Sequence, residues 1–282
     1  MSIRLVLGDC IEKMKDISAA SVDCIICDLP YGCLATGQNT NKKINRIENG
    51  IVTGPKAQTQ DGLLSGCAWD IKINLEQFWT QAKRILKDEH CPVIHFCTTK
   101  FGYELIKSNE KWFRYDLVWD KQRGVSFLTA NKMPMRSHEM VYVFSKAGAK
   151  YNRVDVDTPG KKKRQDNIEK PRNDKVYNSS NSKLKCSQGA DENKACVKTV
   201  IQIDKVGTIK QGHPTEKPEA LYRWLIERYV PEGGTMLDPT FGSGNSVFTA
   251  HAMGRHAIGI EKDTGFYNKA AAKLAPPANT IH

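Results

Sequence analysis

The sequence has no apolar run of the roughly 20 residues that a membrane-crossing helix requires. Its start, Met1-Ser2-Ile3-Arg4, leads through a short apolar stretch to Gly8-Asp9, which lacks the form of a secretory signal. An intracellular protein with no membrane partner is therefore expected. Zinc-type spacing is missing too: nine cysteines occur among 282 residues, without paired Cys-x-x-Cys couples or interleaved histidines. The one Cys-x-x-Cys, Cys24 to Cys27, lies in an apolar run that reads as a buried strand. Alternation along a strand points those two thiols to opposite faces, so no metal is expected. An odd number of scattered cysteines suits a reducing compartment. There are no internal repeats and no complete Gly-x-Gly-x-x-Gly. Acidic residues are in deficit, with 31 Asp and Glu against 42 Lys and Arg, a net charge of +11. That excess favours a polyanionic partner, because each cation that neutralises a phosphate releases a counterion.

Hydrophobic residues make up 40% of the chain, enough for a core. Strands are expected at Ile3–Leu7, Val22–Cys27, Pro92–Cys97, Phe113–Trp119, His138–Phe144, Thr235–Leu237 and Ala257–Ile260. Helical spacing marks Cys10–Ile17, Leu75–Leu86, Gly102–Ser108, Glu219–Tyr229, Asn245–Met253 and Thr264–Leu274. Strands alternating with helices argue for a mostly parallel sheet covered on both faces, an α/β fold. Residues 33–68 are polar and weakly periodic and read as a long loop, a feature usually functional or mobile. Residues 146–210 carry 16 Lys and Arg against 8 Asp and Glu, including the run Lys161-Lys162-Lys163-Arg164. Their composition alone fits a disordered basic insertion as well as a folded DNA-contacting region.

Two turns stand out. Asp238-Pro239-Thr240-Phe241-Gly242-Ser243-Gly244 joins a strand to a helix, where small residues let a ligand approach the main chain and the helix N-terminus. Glu261 follows at the end of the next strand, placed to hold ribose hydroxyls. Val247 stands at the third glycine position of a nicotinamide-binding turn, which weakens that rival. The second turn, Asp28-Leu29-Pro30-Tyr31, also lies beyond the C-terminal end of a buried strand, where open α/β sheets place their ligands. Either turn alone is an ordinary feature.

Together, and in this order, they resemble the β-class (permuted) DNA amino-methyltransferases, which carry Asp/Ser-Pro-Pro-Tyr early and Asp-Pro-Phe-x-Gly-Ser-Gly late. The resemblance extends to Gly8-Asp9, Trp69-Asp70, Arg84-Ile85-Leu86-Lys87, Val118-Trp119-Asp120-Lys121, His138-Glu139, His213-Pro214-Thr215-Glu216-Lys217-Pro218 and Gly259-Ile260-Glu261. It covers the chain apart from residues 33–68 and 146–210. It implies a circularly permuted, doubly wound, Rossmann-like fold with a seven-stranded sheet, one strand antiparallel. Residues 1–145 would form the catalytic half, 146–210 a basic target-recognition insertion and 211–282 the cofactor-binding half.

The resemblance also implies S-adenosylmethionine as cofactor and double-stranded DNA as partner. Phe241, Gly242, Ser243 and Gly244 would line the cofactor, and Glu261 would hold its ribose. Asp238 would lie near the methionine amine, with Lys217, Thr215 and Ser246 near its carboxylate and Asp9 near the adenine. Lys161, Lys162, Lys163 and Arg164 would contact phosphates, leaving base-edge contacts to supply sequence choice. A homodimer and a cognate restriction enzyme are both compatible with this picture.

An exocyclic amine is a poor nucleophile because its lone pair is delocalised into the ring. The Asp28 carboxylate and the Pro30 carbonyl can accept its two N–H groups and favour a tetrahedral nitrogen, while Tyr31 stacks on the extruded base. In the family, Asp at the first motif position goes more often with adenine N6, and Ser with cytosine N4. Asp28 therefore favours adenine, with cytosine N4 or an inactive DNA-binding relative as alternatives. RNA or protein glutamine is a further alternative substrate, although Asn is typical at that position in the glutamine case. Carbon-5 methylation is disfavoured because Cys91-Pro92 reverses the Pro-Cys order. Leu29 departs from the motif's usual first proline, and Thr240-Phe241 from its usual Phe-x pair.

Overall fold

The computed structural model describes residues 1–31, 46–48, 51–53, 72–125, 127–157, 194–206 and 216–274. It divides into two compact units, Met1–Asn152 with Thr199–His282, and Arg153–Lys198. The first unit opens with β1 (Ile3–Leu7), α1 (Cys10–Lys15), β2 (Cys24–Cys27) and the short strands β3 (Arg46–Glu48) and β4 (Ile51–Thr53). It continues with α2 (Leu75–Ile85), β5 (Val93–Cys97), α3 (Thr99–Ser108), β6 (Phe113–Val125) and β7 (Arg136–Phe144). The second unit contributes β8 (Val156–Asp157) and β9 (Lys194–Ala195), an antiparallel pair. The first unit then resumes with β10 (Val200–Gln202), α4 (Glu219–Tyr229), β11 (Thr235–Asp238), α5 (Asn245–Ala252), β12 (His256–Glu261) and α6 (Thr264–Ala272).

The main sheet has the order β1-β12-β11-β2-β5-β7-β6-β10. All its neighbours run parallel except β7, which is antiparallel to both β5 and β6. The seven expected strands are present with one antiparallel member. An eighth, β10, sits at the edge beside β6, its Ile201 buried at 3% exposure. Three residues in a basic, polar stretch carry too little periodicity to announce a strand; β10 is defined by pairing with Val118, Trp119 and Asp120.

Alternation along the strands builds two cores. Ile25, Cys27, Val93, Cys97 and Leu237 face the layer of α1, α2 and α3. Cys24, Ile26, Ile94, Phe96 and Met236 face the layer of α4, α5 and α6. Cys24 and Cys27 thus lie on opposite faces, as the strand reading requires. Local signals start the helices: Asp9 caps α1 by accepting from Ile11 N at 3.0 Å, Asn74 caps α2 and Asp263 caps α6.

Three expectations need correction. Helix α3 begins at Thr99, before Gly102, whose lack of a Cβ lets the Tyr142 ring come within what would be 2.6 Å. Strand β6 runs past Trp119 to Val125, which pairs with Arg136 beyond an irregularity in the ladder; the buried Lys121 on the way is accommodated by its ion pair with Glu139. The segment read as a loop over residues 33–68 contains the antiparallel pair β3–β4. The run Lys161–Arg164 and Thr215 lie outside the described residues. No helix among the described residues is long and apolar enough to cross a membrane.

Candidate active site

The parallel strands deliver their C-terminal ends to one edge of the sheet. Gly8 and Asp9 follow β1, Asp28 follows β2, Thr98 follows β5, and Asp238 and Glu261 end β11 and β12. Antiparallel β7 enters at the same edge and brings Glu139 there. Strands β11 and β2 are neighbours, with β12 and β1 continuing on one side and β5 on the other. Asp238 and Asp28 therefore flank a topological switch point, where such sheets form their binding crevice.

At that point Asp28 is held from both sides. Lys217 Nζ donates to Asp28 Oδ2 at 2.5 Å, and the Tyr31 hydroxyl donates to Oδ1 at 2.5 Å. Lys217, 5% exposed, also pairs with Glu139 Oε2 at 3.3 Å, and Glu139 pairs in turn with Lys121. Two carboxylates and two ammonium groups thus form a neutral, largely buried quartet. Burial pulls the Lys217 pKa down, but Asp28 and Glu139 more than offset it and hold it above the ordinary lysine value. Burial likewise raises Glu139, yet Lys217 and Lys121 leave it below the usual carboxylate range. Burial, with Asp28 beside it, pushes the Tyr31 phenol well up, so it stays a donor. The Tyr31 ring lies against Phe101, centroids 4.9 Å apart.

The neighbouring turn is organised from within. Asp238, 1% exposed, accepts from Thr240 N at 3.0 Å and from Ser246 Oγ at 2.5 Å. Burial raises its pKa to about 7. Gly242 and Gly244 adopt left-handed φ of +51° and +86°; a Cβ on Gly244 would meet the Phe248 ring at 2.5 Å. Gly242 N donates to Glu261 Oε2 at 2.9 Å, and Asp263 N to Oε1 at 2.8 Å, so Glu261 is fixed at the strand end while staying partly exposed. Thr240 Oγ1 donates to the Asp28 carbonyl at 3.1 Å and ties the two turns together across 212 residues.

The structure gives several residues named by the resemblance partners within the protein itself. Lys217 reaches Asp28 and Glu139, and Ser246 gives its hydroxyl to Asp238. Phe241 is only 4% exposed and fills the space over Gly259, where a Cβ would lie 2.6 Å from its ring. Asp9 caps α1 and meets Lys262 at 3.3 Å, and the Ser243 carbonyl accepts from Lys273 at 3.3 Å. Leu29 is 1% exposed in the core beneath the turn, which gives its place in the motif a packing reason. Glu139, Lys121, Thr240 and Asn245 carry roles that sequence reasoning missed. Asn245 Nδ2 donates to Glu216 Oε1 at 2.7 Å and to the Lys217 carbonyl at 3.0 Å, which positions the Lys217 backbone. For Glu139 and Lys121 the signals were their places in the motifs His138-Glu139 and Val118-Trp119-Asp120-Lys121, and a glutamate at the start of an apolar strand, where a buried carboxylate requires a cation.

Comparison with known proteins bears on the fold and the family. A family model described as DNA methylase matches residues 22–273. Type II methyltransferase M.HinfI of Haemophilus influenzae is 27% identical over 278 residues, spanning 95% of this chain and 67% of the relative. Type II methyltransferase M.HpaI of Haemophilus parainfluenzae is 25% identical over 97% of this chain and 74% of its own. Among solved structures, the PvuII DNA methyltransferase (cytosine-N4-specific) aligns with a TM-score of 0.62 at 13% identity, covering 100% of this chain and 89% of that one. The M1.HpyAVI–SAM complex aligns with a TM-score of 0.56 at 17% identity, covering 97% and 100%. Both share the permuted Rossmann-like fold. With a family model matched along most of its length and both motif turns meeting at one crevice, the chain belongs to the N6/N4 DNA methylase family.

Proposed function

We propose that this chain is a site-specific DNA methyltransferase that uses S-adenosylmethionine to methylate adenine N6 by direct transfer to an extruded base. The observation that carries the reading is the Asp28 carboxylate held between Lys217 and Tyr31 at the switch point.

The cofactor fits the neighbouring crevice. Gly242 and Gly244 keep the turn free of side chains in a left-handed path, and Glu261 presents a fixed, partly exposed carboxylate at the strand end. That carboxylate would hold the ribose hydroxyls. Bound S-adenosylmethionine supplies an electrophilic methyl group on a sulfonium. Named relatives are Type II methyltransferases, and one aligned structure is a SAM complex, which supports both the cofactor and a role in restriction–modification.

An ionised carboxylate offers about four lone-pair sites, and Asp28 has two engaged. It can therefore accept an amino N–H of the base without releasing either partner. The Pro30 carbonyl would accept the other N–H. The nitrogen turns cationic only as the methyl arrives, so Asp28 need not remove a proton beforehand; it takes the proton afterwards. The remaining contribution is alignment of donor and acceptor. Residues 146–210 would provide target recognition, with Lys161, Lys162, Lys163 and Arg164 on phosphates.

The test is direct. Unmethylated genomic DNA is incubated with labelled S-adenosylmethionine and digested to nucleosides. N6-methyladenine is expected; N4-methylcytosine alone overturns the base assignment, and no incorporation favours an inactive DNA-binding relative. Mapping the modified bases gives the recognition site.

A further inference from the structure

We propose that the tip of the β6–β7 hairpin is a DNA-contacting wedge, with Arg123, Lys132 and Arg136 on phosphates and Phe127 and Leu128 against the bases. This rests on the methylation reading above.

Trp119 pairs with Glu139 and Asp120 with His138, and beyond that point the ladder register shifts before Val125 meets Arg136. The tip therefore rises directly from the edge where Glu139 joins Lys217 and Asp28. From Lys121 to His138 the sequence contains no Asp or Glu, and Arg123, Lys132 and Arg136 are exposed. Phe127 and Leu128 are 74% and 69% exposed, the largest exposures of big apolar side chains in the described residues. Below the crest, Gly124 packs against Met135, whose methyl group would lie 2.3 Å from a Cβ there. A patch of cations with apolar side chains at its crest, and no carboxylate, complements a duplex: phosphates take the charge, and the bases or the gap left by an extruded base take the apolar groups. A protein partner matching this patch would need an acidic and apolar face, and duplex DNA better fits a position beside the Asp28 crevice.

Two full-length variants test the wedge, Phe127→Ala/Leu128→Ala and Arg123→Gln/Lys132→Gln. All four side chains are exposed, so folding and cofactor affinity should match wild type, checked by melting temperature and calorimetry. The charge variant should bind a random-sequence duplex more weakly, with its salt slope smaller by about 2. The apolar variant should methylate duplex genomic DNA about tenfold more slowly, with most of the rate regained on heat-denatured DNA, whose bases need no extrusion. Wild-type affinity and salt slope in the charge variant, or equal loss on duplex and denatured DNA in the apolar one, overturns the wedge. If wild type methylates no DNA, the methylation reading fails by itself. Duplex affinity and salt slope of the charge variant then decide the tip alone.

Discussion

Lys217 and Asp28 are 189 residues apart in sequence and 2.5 Å apart in the fold. The lysine is buried, and Asp28 and Glu139 share its charge. Lys217→Met would leave Asp28 without its ammonium partner and Glu139 with Lys121 alone. Breaking a buried pair on one side costs about 3–5 kcal/mol. The variant should melt well below wild type in thermal denaturation; an unchanged melting temperature would show that the pair does not help hold the fold together.

Asp28→Ala should lower kcat by about 10²–10³-fold, the loss typical of removing one preorganised group from a reacting centre. Asp28→Asn should do as badly, because an amide facing Lys217 with its oxygen turns its N–H donors towards the substrate amine. Cofactor affinity, measured by calorimetry, should stay at the wild-type value in both. Full activity in either variant rules out the role given to this carboxylate.

Glu139 acts on Asp28 through Lys217 and is a positioning residue. Glu139→Gln turns the neutral quartet into one of net +1, so it should lower both the melting temperature and kcat, leaving cofactor affinity unchanged. Removing a cation as well, in Glu139→Gln/Lys121→Met, restores neutrality and should recover part of the stability. A double-mutant cycle reads the coupling directly; additive effects would show that the quartet does not behave as a unit.

Most of the sheet was legible because local signals set it. Apolar runs such as Cys24–Cys27 are buried on both faces, and caps such as Asp9 and Asn74 start helices from within their own turn. The two motif turns were legible as well, since strand ends adjoin them. What stayed hidden was pairing across the chain. Nothing near Glu139 in sequence indicates that Lys217 lies 3.3 Å away, and nothing in Val200–Gln202 announces a strand until β6 is beside it. The same holds for the packing of Phe241 over Gly259, which the motif alone does not announce.

Glu261 fixes two backbone donors, Gly242 N and Asp263 N, and remains partly exposed. Glu261→Ala should raise the Kd for S-adenosylmethionine by about 10- to 100-fold, in line with losing hydrogen bonds to a charged group. Affinity for random-sequence duplex DNA should not move. Unaltered cofactor affinity would place the ribose elsewhere.

Two buried groups give opposed pH slopes. Burial raises Asp238 to about 7, whereas an unfolded Asp titrates near pH 4. Between those values the native state holds a proton that the unfolded chain has lost, so stability falls as pH rises through the window. Burial lowers His95 to about 3, whereas an unfolded histidine titrates near 6.5. There the unfolded chain holds the extra proton, so stability falls as pH drops from about 6.5 to 3. The windows overlap between about pH 4 and 6.5, where the contributions offset each other. Asp238→Asn should expose the histidine slope, with a melting temperature that climbs from pH 4 to 6.5 more steeply than wild type. His95→Phe suits a site among Phe78, Trp79 and Phe144, at the loss of the 3.1 Å contact between Cys27 Sγ and His95 Nδ1. It should expose the aspartate slope, with a melting temperature that falls, relative to wild type, from pH 4 to 7. Single variants that track the wild-type profile across that range would mean that neither group titrates as its burial dictates.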